Sequence, residues 1–424
     1  MAISLKVLGS GFAFLLTLAV GRMLGAHGAG LYFLAISITS IAGTIARLGL
    51  ENTVLRFVAY FHENNDWGQI RGVLRYALIW VGSVSLTFSI TIIFFAEKIE
   101  SFFLNVEGMT LVLIAVAFSI VFFNLMTLFS EALKGLGMSS KALLVGSVVY
   151  PLCALVVVYP LISIWGVIGS GIAYMTGTIF ASMVGLIIWE RALSGQPSAT
   201  QVNRNELRAS SRPLWVSMII IQAIQPWVPI LLLGIWATPS DAGVLGAATR
   251  IALLISFILV AINSVLAPQF TVLFKHGEYA KIEKIAGKCA LFVTTLTTPI
   301  FIICIFSGDL VMSIFGMDFS TAGNILAILA VGQFVNAFTG PVGLILMMGG
   351  REKDMRTLSL ISVIVVVLMA LLLIPNYGAI GAAIASSTGL ICTSLISVFM
   401  VRLRFKIRVF SFFFNSILNE VRNH

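Results

Sequence analysis

Three arginines sit inside stretches that are otherwise apolar: Arg22, Arg47 and Arg250. A guanidinium is planar, permanently charged and forked, so it suits phosphate or diphosphate oxygens through paired hydrogen bonds. In surroundings of low dielectric that attraction is strong. Amides follow at spacings that share helix faces: Gln222 with Gln225, Gln333 with Asn336, and Asn124 with Thr127. Amides, with an indole such as Trp227 nearby, are good partners for sugar hydroxyls. They are equally common as polar glue between membrane helices. The residue types leave both readings open.

Each arginine also has a plainer reading. Arg22 lies near the end of its apolar stretch, where a long side chain can snorkel to lipid phosphates. Arg47 stands one helical turn before Glu51, so a local ion pair near the membrane boundary accounts for it. Arg250 lies about seven residues, or roughly 10 Å, inside its stretch. Snorkelling explains it poorly, and a role in a cavity explains it better.

No Asp, Glu or His falls near the middle of any apolar stretch; Glu51 and Glu131 are at stretch ends, and His27, His62, His276 and His424 are in loops or the tail. An intramembrane carboxylate is the usual site of proton or sodium coupling, and none is offered here. Little remains for acid–base or metal chemistry. Cys153, Cys289, Cys304 and Cys392 are at unrelated spacings in apolar sequence and read as small hydrophobes. Neither a metal nor a cofactor is expected, and the chain does not read as an enzyme.

The elements that must position these groups are membrane helices. Hydrophobic residues make up 59% of the 424 and charged residues 10%, with mean hydropathy +1.05, which is too little charge to cover a water-soluble surface. About twelve segments approach the length of a bilayer span: 3–24, 31–50, 73–96, 109–130, 142–160, 166–189, 213–235, 243–267, 289–307, 321–349, 357–375 and 380–401. The first is read as a span, not a cleaved leader. Its only preceding base is Lys6, and a second span follows within a few residues.

Charge fixes the direction. With the N-terminus cytoplasmic, 23 of the 26 Lys and Arg fall on the inner side; only Lys98 is clearly in an outer loop, and Arg22 and Arg250 lie within spans. The reverse topology would translocate nearly every basic loop. The net charge of +9 is therefore an orientation signal scattered over short loops, and nucleic acid is not an expected partner. The expected layout is an N-terminal six-helix bundle over 1–189, a cytoplasmic linker over 190–212, a C-terminal six-helix bundle over 213–401 and a basic cytoplasmic tail over 402–424. The tail mixes basic and apolar residues, as a helix lying on the inner leaflet does.

The halves repeat at a shift of about 213 residues. Ala29-Gly30 aligns with Ala242-Gly243, Arg71 and Arg75 with Lys284 and Lys288, and Leu133 and Gly137 with Leu346 and Gly350. With a small gap, "PLISIWGVIGSGIAY" aligns with "PNYGAIGAAIAS". Six spans per half make the repeats parallel, as in transporters built from two bundles around a central cavity. Ser37, Ser40, Thr44, Arg47 and Glu51 then share one face of the second span, and the shift places Arg250 at the position of Ser37.

The run "GRMLGAHGAGLYFLAISITSIAGTIARLGLENTVLRFVAYF" resembles the start of Wzx-type polysaccharide flippases of the multidrug/oligosaccharidyl-lipid/polysaccharide (MOP) exporter superfamily. The matching residues are Gly25, Gly28, Gly30 and Tyr32, then Leu48-Gly49-Leu50, then Arg56-Phe57-Val58-Ala59; "ALKGLGMSSKA" and the Gly-rich sixth and twelfth spans also fit. The resemblance implies an all-α polytopic fold of two pseudo-symmetric six-helix bundles, like that of the MATE exporters. It implies transfer of undecaprenyl-diphosphate-linked oligosaccharide from the inner to the outer leaflet of the bacterial cytoplasmic membrane, by alternating access. Membrane lipids, polysaccharide polymerase and chain-length machinery are the implied partners. By position, Arg22 and Arg250, and less securely Arg47, match the arginines that hold the diphosphate in related flippases. Gln222, Gln225, Asn124, Gln333 and Asn336 are the candidate sugar contacts. Two alternatives stand beside this. Export of amphipathic drugs would be indifferent to Arg22 and Arg250. A membrane polymerase or ligase needs a reactive outer loop, and the longest one, roughly 97–108, carries no such cluster.

Overall fold

The computed structural model describes residues 2–104 and 106–409. The part of the expected tail beyond residue 409 lies outside them. The described residues are mostly helical, with short turns and a longer irregular segment before residue 204, and contain no strand. The helices are α1 (Ser4–Ala46), α2 (Leu50–Glu63), α3 (Trp67–Ser101), α4 (Met109–Gly135), α5 (Ser139–Trp165), α6 (Val167–Ala192), α7 (Arg204–Trp236), α8 (Pro239–Lys275), α9 (Tyr279–Phe306), α10 (Gly323–Thr339), α11 (Val342–Met348) and α12 (Asp354–Phe405). Side chains such as Phe94, Val156, Phe306 and Leu372 are largely exposed on them. Such surfaces are stable facing hydrocarbon, where backbone polar groups must be satisfied within the helix itself.

Nine of these helices are long and apolar enough to span a bilayer, and α10 with α11, bent by 51°, makes a tenth. Two of the ten hold two spans each. The 43 residues of α1 and the 52 of α12 are about twice the ~20 that a bilayer requires. Each is broken by one glycine at positive φ: Gly25 (φ 68°, ψ −174°) and Gly378 (φ 50°, ψ −128°). The twelve expected spans are thus present, but the loops expected at 25–30 and 376–379 shrink to single-residue breaks. A glycine reverses the chain there without the Cβ clash that other residues meet.

Backbone geometry adds one further difference, at the second span, whereas the seventh and tenth are distorted where Pro226, Pro229 and Pro341 lead one to expect it. The second span ends at Ala46, and Leu48 (φ 53°) and Gly49 (φ 69°) turn the chain into α2. At 14 residues α2 is too short to span, and it buries Leu50, Thr53, Val54 and Val58 beside the membrane helices. The expected tenth span, 321–349, breaks at Gly340 (φ 68°) before Pro341. In the seventh, a π-helical turn at Ile219–Ile224 precedes Pro226 and Pro229. Proline and π-turns both free carbonyls that neighbouring groups must satisfy.

The chain divides into two compact units, Met1–Gly243 and Val244–His424. In the first, the segment before α7 is pinned to α3. Thr200 N donates to Gly68 O at 3.0 Å, and Arg71 Nη2 donates to Leu193 O at 2.8 Å. The start of α8 crosses α1 so closely that a Cβ on Gly30 would stand 1.7 Å from Pro239 O, and one on Gly243 2.1 Å from Ala26 O. The two contacts are equivalents of one another under the repeat. In the second unit α10 packs on α9, with Phe301 and Phe334 stacked at 4.3 Å, and on α12, with Gly332 against Ser387.

The repeat extends to the backbone. Gly166 (φ 55°, ψ −131°) between α5 and α6 has nearly the same angles as Gly378. Gly137 (φ 75°) and Gly350 (φ 72°) end their helices alike, with Met138 N donating to Leu133 O at 2.9 Å and Arg351 N to Leu346 O at 3.1 Å. Bonds of that kind close a helix C-terminus through a left-handed residue. Gly169 meets Leu161 O as Gly381 meets Leu373 O.

Candidate functional site

The best-defined polar constellation lies where α1 turns into α2. The Gly49 turn brings Arg47 and Glu51 together across the helix break, with Arg47 Nη1 2.8 Å from Glu51 Oε2. The ion pair expected from their spacing is therefore present, although the two residues do not share one continuous helix. Arg47 Nη2 also donates to Thr44 Oγ1 at 2.8 Å and to Gln222 Oε1 at 2.9 Å. Gln222 Nε2 donates to Glu51 Oε1 at 3.3 Å, which closes a ring of three side chains from the turn after α1, from α2 and from α7.

Packing holds α7 in place for this. A Cβ on Gly49 would fall 2.5 Å from Ser211 O and 2.7 Å from Trp215 N, so only glycine admits α7 here. Trp215 Nε1 donates to Ile45 O at 2.9 Å, capping a carbonyl at the end of α1. Arg47 and Glu51 are buried, at 7% and 3% exposure. Burial pushes the Glu51 carboxyl up from its ordinary value, against the Arg47 guanidinium, which draws it down; Glu131 adds to the rise.

The other sequence-selected residues fall elsewhere. Arg22 is exposed on α1, three residues before the Gly25 break. Arg250 is half-buried on α8, in the second unit, with no carboxylate in ion-pair contact among the described residues. Ser37, its repeat equivalent, is fully buried and donates to Leu34 O at 2.7 Å. Asn124 is also fully buried; its Nδ2 donates to Gly43 O at 3.0 Å and to Ser85 Oγ at 2.8 Å, joining α1, α3 and α4. Gln333 Oε1 accepts from Ser256 Oγ, and Asn336 Oδ1 accepts from Ser394 Oγ at 3.4 Å. Gln225 is half-buried one turn beyond Gln222.

Of the selected residues, then, the structure joins Arg47 to Gln222 within the first unit. It spends the Asn124 amide on helix contacts. Sequence reasoning overlooked Trp215 and the Arg47–Gln222 link. A tryptophan two residues after Pro213, at the start of a span, was the one available signal. The four cysteines are free, and among the described residues no three His, Cys, Asp or Glu cluster as metal ligands would.

Long apolar helices, glycine breaks repeated in both halves and an isolated cation within a span are the architecture of a multi-pass membrane transporter. Solved structures agree on the fold. The chain is similar to an inward-facing multidrug-resistance MATE transporter of the MOP superfamily, with TM-score 0.72, 16% identity, and 96% and 98% of the two chains covered. It is equally similar to the lipid II flippase MurJ in an inward closed conformation, with TM-score 0.74, 17% identity, and 94% and 87% covered.

The sequence carries the assignment further. The chain belongs to the polysaccharide biosynthesis protein family, matched over residues 1–274. A curated relative is the probable low-salt glycan biosynthesis flippase Agl15 of Haloferax volcanii, 25% identical over 162 residues. That match spans 38% of this chain and 34% of the relative, about a third of its length. The likeness to Wzx-type members of the MOP superfamily is thereby borne out.

Proposed function

We propose that the protein flips an undecaprenyl-diphosphate-linked oligosaccharide from the inner to the outer leaflet of a bacterial cytoplasmic membrane, with both termini cytoplasmic, and so feeds polysaccharide assembly. The carrying observation is the family match over 1–274 in a chain with the MOP fold. A half-buried Arg250 without a carboxylate partner supports an anionic head group as cargo, because an unpaired guanidinium at membrane depth is costly unless it meets an anion. Arg22 and Arg250 are the proposed diphosphate ligands. Arg47 is already engaged by Glu51 and Gln222, and would reach phosphate oxygens only in a state where that ring opens. Gln225, Gln333 and Asn336 are the proposed sugar contacts, with Gln222 joining them in the opened state. Polymerase and chain-length proteins are proposed partners.

The test uses proteoliposomes that contain a polyprenyl-diphosphate oligosaccharide, with an external enzyme that reads leaflet exposure. Translocation slowed at least tenfold by Arg22→Ala and Arg250→Ala, in folded protein, is the expected result. Transport of cationic drugs that ignores both substitutions, with no lipid translocation, would replace this reading with drug export.

A further inference from the structure

A second basic site lies in the first unit, beside the turn that carries Arg47 but built from other side chains. A cavity of about 280 Å³ opens between α3, the Leu48 and Leu50 side chains of the turn into α2, and the start of α7, where Tyr76, Trp80, Arg208, Ser211, Arg212 and Trp215 line it. Its chemistry is uneven: two cations and three aromatic rings, with no acid among the lining residues. Arg208 and Arg212 are four apart on α7 and therefore share a face. Neither is paired with a carboxylate among the described residues.

The arginines are held but not consumed. Arg208 Nε donates to Tyr76 Oη at 3.1 Å, and its guanidinium stands 5.4 Å over the Trp80 ring. These contacts use Nε and one face of the guanidinium and leave its two terminal nitrogens without a hydrogen bond among the described residues. Trp215 is fixed by its bond to Ile45 O. A rigid guanidinium between aromatic rings is a ready receptor for phosphate oxygens.

The surroundings indicate what carries the phosphate. Beside Trp80, Ile79 begins an exposed apolar stripe of α3 that continues through Leu86 to Ile90, at steps of seven and four on a membrane-spanning helix. Tryptophan and tyrosine prefer the depth of lipid head groups, with arginine reaching past them. The cavity thus stands at the end of a hydrocarbon-facing strip, on the end of the fold that also carries Arg71, Arg75 and Arg204.

We propose that this cavity binds the phosphate head group of an anionic phospholipid of the basic-side leaflet. Arg208 and Arg212 hold the phosphate oxygens, Trp80 and Trp215 pack on the glycerol region, and one acyl chain lies along α3. The site ties α7 to α3 through a lipid, next to the turn that positions Gln222.

Delipidated protein would be titrated with phosphatidylglycerol, phosphatidylcholine, undecaprenyl phosphate and inorganic phosphate, and bound molecules counted by native mass spectrometry. One phosphatidylglycerol per chain is expected, weakened about thirtyfold in Arg208→Gln/Arg212→Gln, from a contribution of roughly 1 kcal/mol per basic residue. The control Arg191→Gln/Arg204→Gln removes equal charge and should bind as the wild type does. Should the double variant melt early, Trp80→Leu removes the aromatic platform at constant charge and should also weaken binding. Equal affinity for phosphatidylcholine overturns the proposal, as does retention that ignores both sets of lining residues. Binding of undecaprenyl phosphate or inorganic phosphate without phosphatidylglycerol also overturns it, assigning the arginines to the carrier lipid or to the free ion.

Discussion

Replacing Arg47 with methionine should give a protein whose stability falls as pH rises. In the wild type the guanidinium meets Glu51 Oε2 at 2.8 Å while both side chains are almost wholly buried. Methionine keeps much of the volume but leaves Glu51 with Gln222 Nε2 at 3.3 Å. Breaking one partner out of a buried pair typically costs about 3–5 kcal/mol, because a charge is stranded. Here the stranded group can titrate. Burial already raises the Glu51 carboxyl above its ordinary value of 4.5, and Arg47 is the chief group that draws it back. Its loss raises the carboxyl further. A carboxyl whose folded pKa exceeds the unfolded one stabilises the fold at low pH, and that stability is lost as pH climbs through the raised value. Melting in detergent should therefore show Arg47→Met near wild type below the ordinary carboxylate pKa and well below wild type at neutral pH. Arg47→Met/Glu51→Leu should recover most of the loss at neutral pH, a coupling of about 3 kcal/mol. Equal destabilisation at every pH, or additive single and double variants, would refute the argument.

Three further outcomes follow from the packing. Gly30→Ala and Gly243→Ala place a Cβ 1.7 Å and 2.1 Å from backbone oxygens at one crossing, so each should exceed the ~1–3 kcal/mol of ordinary overpacking; because one separation relieves both clashes, the double variant should melt close to the worse single one. Gly49→Ala meets both a positive φ of 69° and Ser211 O at 2.5 Å, and should displace α7, which would be read as faster labelling of a cysteine placed at Gln222. Asn124→Ala strips bonds to Gly43 O and Ser85 Oγ from a fully buried site; it should cost about 1–3 kcal/mol in melting, with translocation unchanged once measured below the melting range.

Much of this fold was legible because membrane insertion writes itself into composition. Span length, hydropathy and the placement of Lys and Arg all answer to one solvent, so the twelve segments could be read without knowing any contact. The Arg47–Glu51 pair was legible because it is local. Its third member was not. Gln222 lies 171 residues from Glu51, and nothing in its own neighbourhood separates an amide that closes an ion pair from one that meets a sugar. The break at Gly49 was also hidden. A helix-period pattern runs through Ser40, Thr44 and Arg47 to Glu51, and one left-handed glycine interrupts it without disturbing the spacing of polar residues. Asn124 shows the same limit from the other side, since its exposure is decided by Gly43 and Ser85 on two other helices.

The repeat separates what the scaffold needs from what the activity needs. Groups that shape the backbone occur in both halves: Gly137 with Gly350, Gly166 with Gly378, Gly169 with Gly381, and the crossing of Gly30 and Gly243. The basic pairs Arg71/Arg75 and Lys284/Lys288 also recur, but Arg47, Glu51 and Arg250 do not. At a shift of 213, Arg47 and Glu51 correspond to Val260 and Ser264, and Arg250 corresponds to Ser37. A duplicated scaffold with matching hinges can adopt equivalent bends in each half. On the proposed function, Arg47 and Arg250, each without an equivalent in the other half, would make the two halves bind an anion unequally. A ligand moves a two-state equilibrium only through its differential affinity for the states. For directional transfer of a diphosphate, the asymmetry of Arg47 and Arg250 is therefore the feature to perturb. Because Ser37 is fully buried, the guanidinium is better moved to half-buried Ser40, one turn further along α1, and the paired exchange Ser40→Arg/Arg250→Ser should leave the fold intact and abolish translocation. Wild-type translocation by that double variant would show that the total charge matters and its position does not.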